Sequence, residues 1–264
     1  MDWLTDPFEA EFMRRALAEV LVLGLACGPL GAWVLLYRQS YAAESISHGM
    51  LPGLVLAAVA GAPLVLGAAG GVLMAAGAIA LAGRDERLGG DTGVAVAVSG
   101  LFGLGALLAL APETPPRLQE LLFGDLLGAT GTDLAAAAGL AASVAVALAL
   151  AHRRLTVSAF DRGAARSLGA SPARWELALL VLLAVATVAA APGLGSLLLV
   201  ALILAPGAAA LRLAARMGTV LVVAAVLGAA SGFAGLVLSF HLGIAAGASV
   251  ALCAVLIAGL TALR

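Results

Sequence analysis

The chain has 264 residues, of which 63% are apolar and 11% charged, with a net charge of −1. A soluble domain runs nearer 45–50% apolar and about 25% charged, so there are too few polar side chains to clothe a water-facing surface, and the same excess of apolar residues excludes disorder. Every basic residue is arginine: without lysine there is no in-chain Walker A loop and no Schiff-base amine, and near-neutral charge argues against nucleic acid as a partner.

The first thirteen residues, MDWLTDPFEAEFM, carry four acids and no base, the reverse of a signal peptide's positive start. Trp3, Phe8 and Phe12 suit residues 1–15 to a short interfacial segment at the headgroups. Beyond it, stretches free of acid and arginine serve as a ruler. A helix rising 1.5 Å per residue needs about 20 residues to cross roughly 30 Å of hydrocarbon. Six stretches qualify: 20–37, 45–83, 92–112, 134–152, 177–211 and 217–263. The first, third and fourth fit one pass each. The others hold 39, 35 and 47 residues and fit two each, with turns expected at Gly61-Ala62-Pro63, Pro192-Gly193 and around His241-Leu242-Gly243. The expectation is an all-α, polytopic membrane bundle of nine passes, or eight with one re-entrant, forming a single transmembrane domain over 1–264. The longest polar insertion, 154–176, is expected to be a cytoplasmic loop with a short helix from Arg162 to Leu168.

Arginine placement gives an orientation. Eleven of the fourteen fall in alternate loops, leaving only Arg14, Arg15 and Arg117 on the other side. The positive-inside rule puts the first set in the cytoplasm, hence the N-terminus outside and the C-terminus inside; Arg14 and Arg15 fit this least well. Gly24/Gly28, Gly67/Gly71, Gly228/Gly232 and Gly243/Gly247 have the four-residue spacing of close helix packing. Cys27 and Cys253 lie in apolar runs and form no CxxC or zinc-ribbon pattern.

Ionisable residues at membrane depth are costly and therefore informative. In YAAESISHGMLPG, Glu44 and His48 stand at i, i+4 on one helical face. Carboxylate oxygen and imidazole nitrogen suit divalent Zn, Mn or Fe; Met50 faces elsewhere. Pro52 lacks an N–H and can loosen the ladder around His48, and transporters build sites at such breaks. The other reading of the pair is an intrahelical contact sealing the helix start. Two ligands make a weak site, which suits an ion that must leave. His241 reads as a solvated or capping residue and His152 as an interface residue. Asp91 in GGDTG reads as a helix N-cap or a pathway residue, and Asp125 in LLFGDLLG as a cap or a gate element. In FDRGAARSLGASPARWE, Asp161 can cap a short helix ended by Gly169. Ala164, Ala165 and Leu168 form its apolar face, with Arg162 and Arg166 beside it. Such a knob can seat in a partner's groove, or it is an ordinary solvated loop.

With these segments in place the chain resembles the membrane subunit of the zinc/manganese/iron-type ABC importer permeases. GPLGAWVLLYRQSYAAESISHGMLPG, GDTGVAVAVSGLFGLGALL, LLFGDLLG, FDRGAARSLGAS and GLGSLLLVALILAPGAAALRLAAR occur in the family's order over nearly the whole length. The resemblance implies a type II ABC importer permease fold in a prokaryotic inner membrane. It implies a homodimer with the ion path on its two-fold axis, two cytoplasmic ATPase subunits below and an extracytoplasmic metal-binding protein above. It places Glu44 and His48 at the in-membrane metal positions and Asp161, Ala165 and Gly169, with Arg162 and Arg166, in the coupling loop. Zn, Mn or Fe is cargo, and no resident cofactor is implied. Glu44 stands where Asp is usual, and Asp125 where Asn is common.

Three other readings compete. A permease for chelated iron or cobalamin needs a wider path and no midplane ligands. An ion-driven carrier usually shows acids in several spans and inverted repeats, whereas only Glu44 lies deep here. A membrane-embedded enzyme would need an HExxH, a Ser–Lys pair or paired aspartates, none of which occurs.

Overall fold

The structure, a computed structural model, describes residues 2–82, 90–110, 124–167 and 171–263. Among them are two short helices, α1 (Asp2–Thr5) and α7 (Arg162–Ser167), and nine long ones. The long ones are α2 (Glu11–Leu36), α3 (Ser40–Val59), α4 (Leu64–Ala82), α5 (Gly90–Ala109), α6 (Gly131–Phe160), α8 (Pro172–Leu194), α9 (Ser196–Leu213), α10 (Met217–Leu242) and α11 (Ala246–Ala262). The described residues contain no strand. Six of the long helices (α2, α3, α5, α6, α8 and α10) are long and apolar enough to cross a membrane. The remaining three are apolar and run 19, 18 and 17 residues; at 1.5 Å per residue even the last spans about 26 Å. The nine helices occupy the six charge-free stretches in the expected order.

α2 is the centre of the bundle and packs against α6, α9 and α10. Beyond Glu19 it is apolar on all sides, the signature of a buried helix: Leu23, Leu30 and Trp33 are fully enclosed. Glycine sets its closest approaches. A Cβ on Gly24 would strike the Gly228 backbone, one on Gly28 the Ala224 carbonyl, and one on Gly31 the Ile203 carbonyl. Gly53 likewise seats α3 against Gly67 and Gly71 of α4. Apolar side chains gain nothing by leaving lipid, so backbone proximity and dispersion carry the association. Three of the four spaced glycine pairs are packing faces. The exception includes Gly243, which has open space around it and a φ of +64°, and ends α10 as a left-handed cap.

The two ends of the bundle separate by charge. Tyr37 and Gln39, after α2, contact α6 near its end and α8 near its start. Arg38, Arg153, Arg154 and Arg174 therefore share one end, with Arg212 and Arg216 at the α9–α10 junction. Asp6, Glu9, Glu11, Asp125 and Asp133 mark the other, where Arg14 and Arg15 are the only arginines among the described residues.

Three boundaries differ from expectation. α6 continues through Phe160, eight residues past His152, and α8 starts at Pro172, so only residues 161–171 separate the long helices, not 154–176. Helical hydrogen bonding does not stop where side chains turn polar. α7 is described from Arg162 to Ser167, and its expected last residue, Leu168, lies outside the described residues. The α8–α9 break falls at Gly195, with φ +75°, rather than at Pro192-Gly193; proline near a helix end costs only one backbone bond. Finally, Arg14 and Arg15 lie inside α2 rather than in a separate interfacial segment. The segment ahead of α2 consists of α1 and a 3-10 turn over Asp6–Glu9, tied down by Phe8 on Phe233 and Trp3 on His241.

Candidate functional site

α3 carries Glu44 and His48 one above the other. His48 Nε2 lies 3.9 Å from Glu44 Oε1, and the side chains are 26% and 58% exposed. They line one wall of a cavity of ≈ 460 Å³ whose other walls come from Leu35 of α2, Val200 and Leu204 of α9, and Val255 of α11. Apart from Ser47, the remaining lining is apolar. The His48 ring meets the edge of Phe102 at 5.2 Å, which fixes its plane, and its Nδ1 is buried without a hydrogen-bond partner. Met50 is fully buried away from the cleft, against α4. α3 is continuous through Pro52, whose missing N–H falls opposite the His48 carbonyl.

At 3.9 Å the two donors are too far apart to hydrogen-bond. Two ligands about 2.1 Å from one tetrahedral ion stand about 3.4 Å apart, so a half-ångström adjustment would let both bind one cation. Among the described residues no three His, Cys, Asp or Glu side chains converge on one point. One chain thus offers a two-donor site, open on one side.

Residues 161–167 lie at the arginine end. Asp161 closes α6 and turns the chain into α7: its N–H bonds the Val157 carbonyl at 2.9 Å, and its own carbonyl accepts the Ala165 N–H at 3.0 Å. The Asp161 carboxylate lies over Gly163, in the first turn of α7. Ala165 is fully buried, so one face of α7 seats on the bundle. Arg162 and Arg166 are on α7, and Gly169 lies outside the described residues.

Asp125 accepts the Gly128 N–H at 3.0 Å and caps a 3-10 turn over Leu126–Gly128. Asp91 is the second residue of α5, inside its first turn rather than ahead of it. His152 meets the edge of Trp33 at 5.9 Å. His241 stacks on Trp3 with ring centroids 4.1 Å apart, and its Nε2 is 2.8 Å from the Trp3 carbonyl oxygen; it anchors the N-terminal segment, a role its sequence context did not suggest. The structure therefore joins Glu44 with His48, and holds Asp125, Asp161 and the two remaining histidines at separate structural posts.

Glu19 was missed. It is 1% exposed, two turns inside α2, against Gly193, and its Oε2 has no hydrogen-bond partner. The sequence signal was present, an acid flanked by apolar residues, but a ruler that starts at the last charge makes that acid a boundary.

Comparison with known proteins agrees with this geometry. Residues 9–263 match the ABC 3 transport family. The chain is 32% identical to the manganese transport system membrane protein MntC of Halalkalibacterium halodurans over 92% of its own length and 84% of the relative's. It is 32% identical to the chelated iron transport system membrane protein YfeD of Yersinia pestis over 90% and 80%. The solved structure of PsaBC from Streptococcus pneumoniae in complex with Fab superposes with a TM-score of 0.87 at 26% identity, covering 98% of this chain and 94% of that one. A bundle of nine long helices among the described residues, a carboxylate–imidazole pair on one of them and a match from residue 9 to residue 263 meet in one conclusion: the chain belongs to the ABC 3 transport family.

Proposed function

We propose that this chain is the membrane permease subunit of an ATP-driven importer, and that Glu44 and His48 are the transient ligands of a divalent cation of the Mn, Fe or Zn class. The observation that carries the reading is the pair itself: a carboxylate and an imidazole 3.9 Å apart, on one face of a helix long and apolar enough to cross a membrane, in an otherwise apolar cleft. Charged groups in such a place are costly unless they serve a path. Two donors from one chain leave the ion incompletely coordinated, and in this reading a second copy facing the open side of the cleft supplies the same pair. A weak shared site suits passage, since a tightly held ion cannot leave.

In this reading the chain hydrolyses nothing. α7 and its flanking turns dock on a separate cytoplasmic ATPase, whose nucleotide state biases a two-state bundle. An extracytoplasmic binding protein delivers the ion at the acidic end. The arginine end is cytoplasmic by the positive-inside rule, with the N-terminus outside.

The test is uptake in proteoliposomes carrying the full transporter, with Mn, Fe and Zn offered singly and in competition, and with chelated iron as a further arm. Glu44→Ala and His48→Ala are each expected to lower uptake at least roughly a hundredfold, the loss expected of a residue that contacts the ion, while assembly with the ATPase persists. Glu44→Asp is expected to retain transport and shift the order of metal preference. Wild-type uptake by both alanine variants removes the site; chelate uptake unaffected by either points to a path that needs no ligands.

A further inference from the structure

The segment between α2 and α3 does more than reverse the chain. α2 ends in a Schellman arrangement: the Gln39 N–H bonds the Val34 carbonyl at 2.9 Å and the Arg38 N–H bonds that of Leu35 at 3.0 Å. The left-handed position is normally glycine, yet here it is Arg38, with φ +57°, the one non-glycine residue with positive φ among those described. From this elbow two side chains reach out in sequence by more than a hundred residues. Tyr37 Oη donates to the Leu155 carbonyl of α6 at 3.0 Å, and Gln39 Nε2 donates to the Glu176 carbonyl of α8 at 3.1 Å.

α6 and α8 are the two arms that carry α7. The arms are themselves joined, with the Arg154 guanidinium over the Trp175 ring at 6.0 Å. The elbow thus holds both arms at once. On its other side it is continuous with α3: the Gln39 carbonyl accepts the Ala43 N–H at 3.0 Å, so Gln39 begins the helix. Glu44 and His48 follow five and nine residues later, about 7.5 and 13.5 Å along a helix that transmits displacement rigidly.

We infer that Tyr37 and Gln39 are positioning residues that couple the α6–α7–α8 hairpin to the ligand-bearing helix, so that a shift of the hairpin moves Glu44 and His48. The inference rests on the proposed transport reading and extends it to residues outside the ion site and outside 161–171. Both contacts end on helix carbonyls whose own helix bonds remain when the donors are removed. Gln39 also keeps its Oε1 buried and unpartnered, which a merely structural residue gains nothing by doing. Removing one such donor, while its carbonyl keeps a helix bond, costs no more than the modest net value of a single hydrogen bond. Stability and coupling therefore separate.

The experiment uses the full transporter in proteoliposomes and compares wild type, Tyr37→Phe, Gln39→Leu and the double variant. It measures the thermal midpoint in detergent, ATP hydrolysis, Mn binding by the permease, and Mn taken up per ATP hydrolysed. Expected are a midpoint lowered by a few degrees at most, retained ATPase activity, unchanged Mn affinity, and uptake per ATP reduced roughly tenfold in the double variant with smaller losses in the singles. Gln39→His, which restores a donor, is expected to recover part of the coupling lost in Gln39→Leu. A double variant with wild-type uptake per ATP overturns the inference, as does a loss matched by a fall in midpoint or in Mn affinity. His48→Ala runs in parallel: uptake surviving there defeats the ion-site reading, an outcome distinct from either result at the elbow.

Discussion

At the arginine end, polar side chains reach from one long helix to another; at the acidic end, except where His241 of α10 meets the Trp3 carbonyl of the N-terminal segment, they close on their own turn. Tyr37 and Gln39 tie the α2–α3 elbow to α6 and α8, and Arg154 lies over Trp175. At the opposite end Asp125 caps Gly128, and Thr130 and Asp133 form a capping box on the first turn of α6. There the connection between elements is made by backbone: Gly124 lies directly against Gly193 and Gly195. Cross-helix ties make segments distant in sequence move together, whereas local caps finish a helix without binding it to a neighbour. One end is thus built to pass on a displacement, and the other to part along surfaces that, apart from the His241–Trp3 anchor, are held by close packing.

The sharpest way to break this contrast is at the acidic end's backbone contact. Gly124 has φ +73°, and a Cβ there would overlap the backbone at Gly193–Gly195. Gly124→Ala adds the cost of a left-handed alanine, about 1–2 kcal/mol, to an overpacking cost of about 1–3 kcal/mol. The thermal midpoint of the purified permease should fall steeply and its size-exclusion peak should broaden. A midpoint equal to wild type means that the two segments do not meet as described, and that the acidic end is held by something else.

Next in size is the staple between the hairpin arms. Arg154→Ala or Trp175→Ala removes a cation–π contact worth about 0.5–2 kcal/mol. Because the contact joins the arms that carry α7, uptake per ATP should fall as well as stability. If only stability falls, the arginine end holds the bundle together without transmitting anything.

How much of this was legible beforehand follows from the physics of each feature. The helices could be counted because a charge at membrane depth is costly, so charge-free stretches measure passes directly. Glu44 and His48 could be paired because i, i+4 spacing is a local property of any helix. Gly24 and Gly28 could be named as a packing face, but not matched to Gly228 and Ala224, since spacing says nothing about partners. The reach of α6 to Phe160 was hidden because side-chain polarity marks the edge of lipid and not the end of a helix. Glu19 was hidden because it served as the ruler's zero. Tyr37 and Gln39 carry no local signal at all: their partners lie 118 and 137 residues away, and only the folded chain brings them together.

A smaller effect is expected from the acidic end's side chains. Thr130 accepts the Asp133 N–H at 3.3 Å, and Asp133 Oδ2 accepts the Thr130 N–H at 2.9 Å. Thr130→Ala should cost about 1 kcal/mol, the usual value of a lost N-cap, seen as a lower midpoint. Because the box ties α6 only to itself, uptake per ATP should stay at the wild-type value. A drop in coupling without a matching loss of stability would erase the distinction between the two ends.

The smallest expected change is the most discriminating for the elbow. Arg38→Gly relieves the strain of a left-handed arginine, about 1–2 kcal/mol, but restores backbone freedom to the unfolded chain at a cost of about 0.5–1 kcal/mol. The two nearly cancel, so the midpoint should move little, and upward if at all. Both hydrogen bonds from Tyr37 and Gln39 remain, so uptake per ATP should be unchanged if those side chains carry the displacement. Should the variant fold normally yet uncouple, transmission would run through the stiffness of the strained backbone instead. The elbow would then act as a spring rather than as a pair of tethers, and Tyr37→Phe with Gln39→Leu should have little further effect in the Arg38→Gly background.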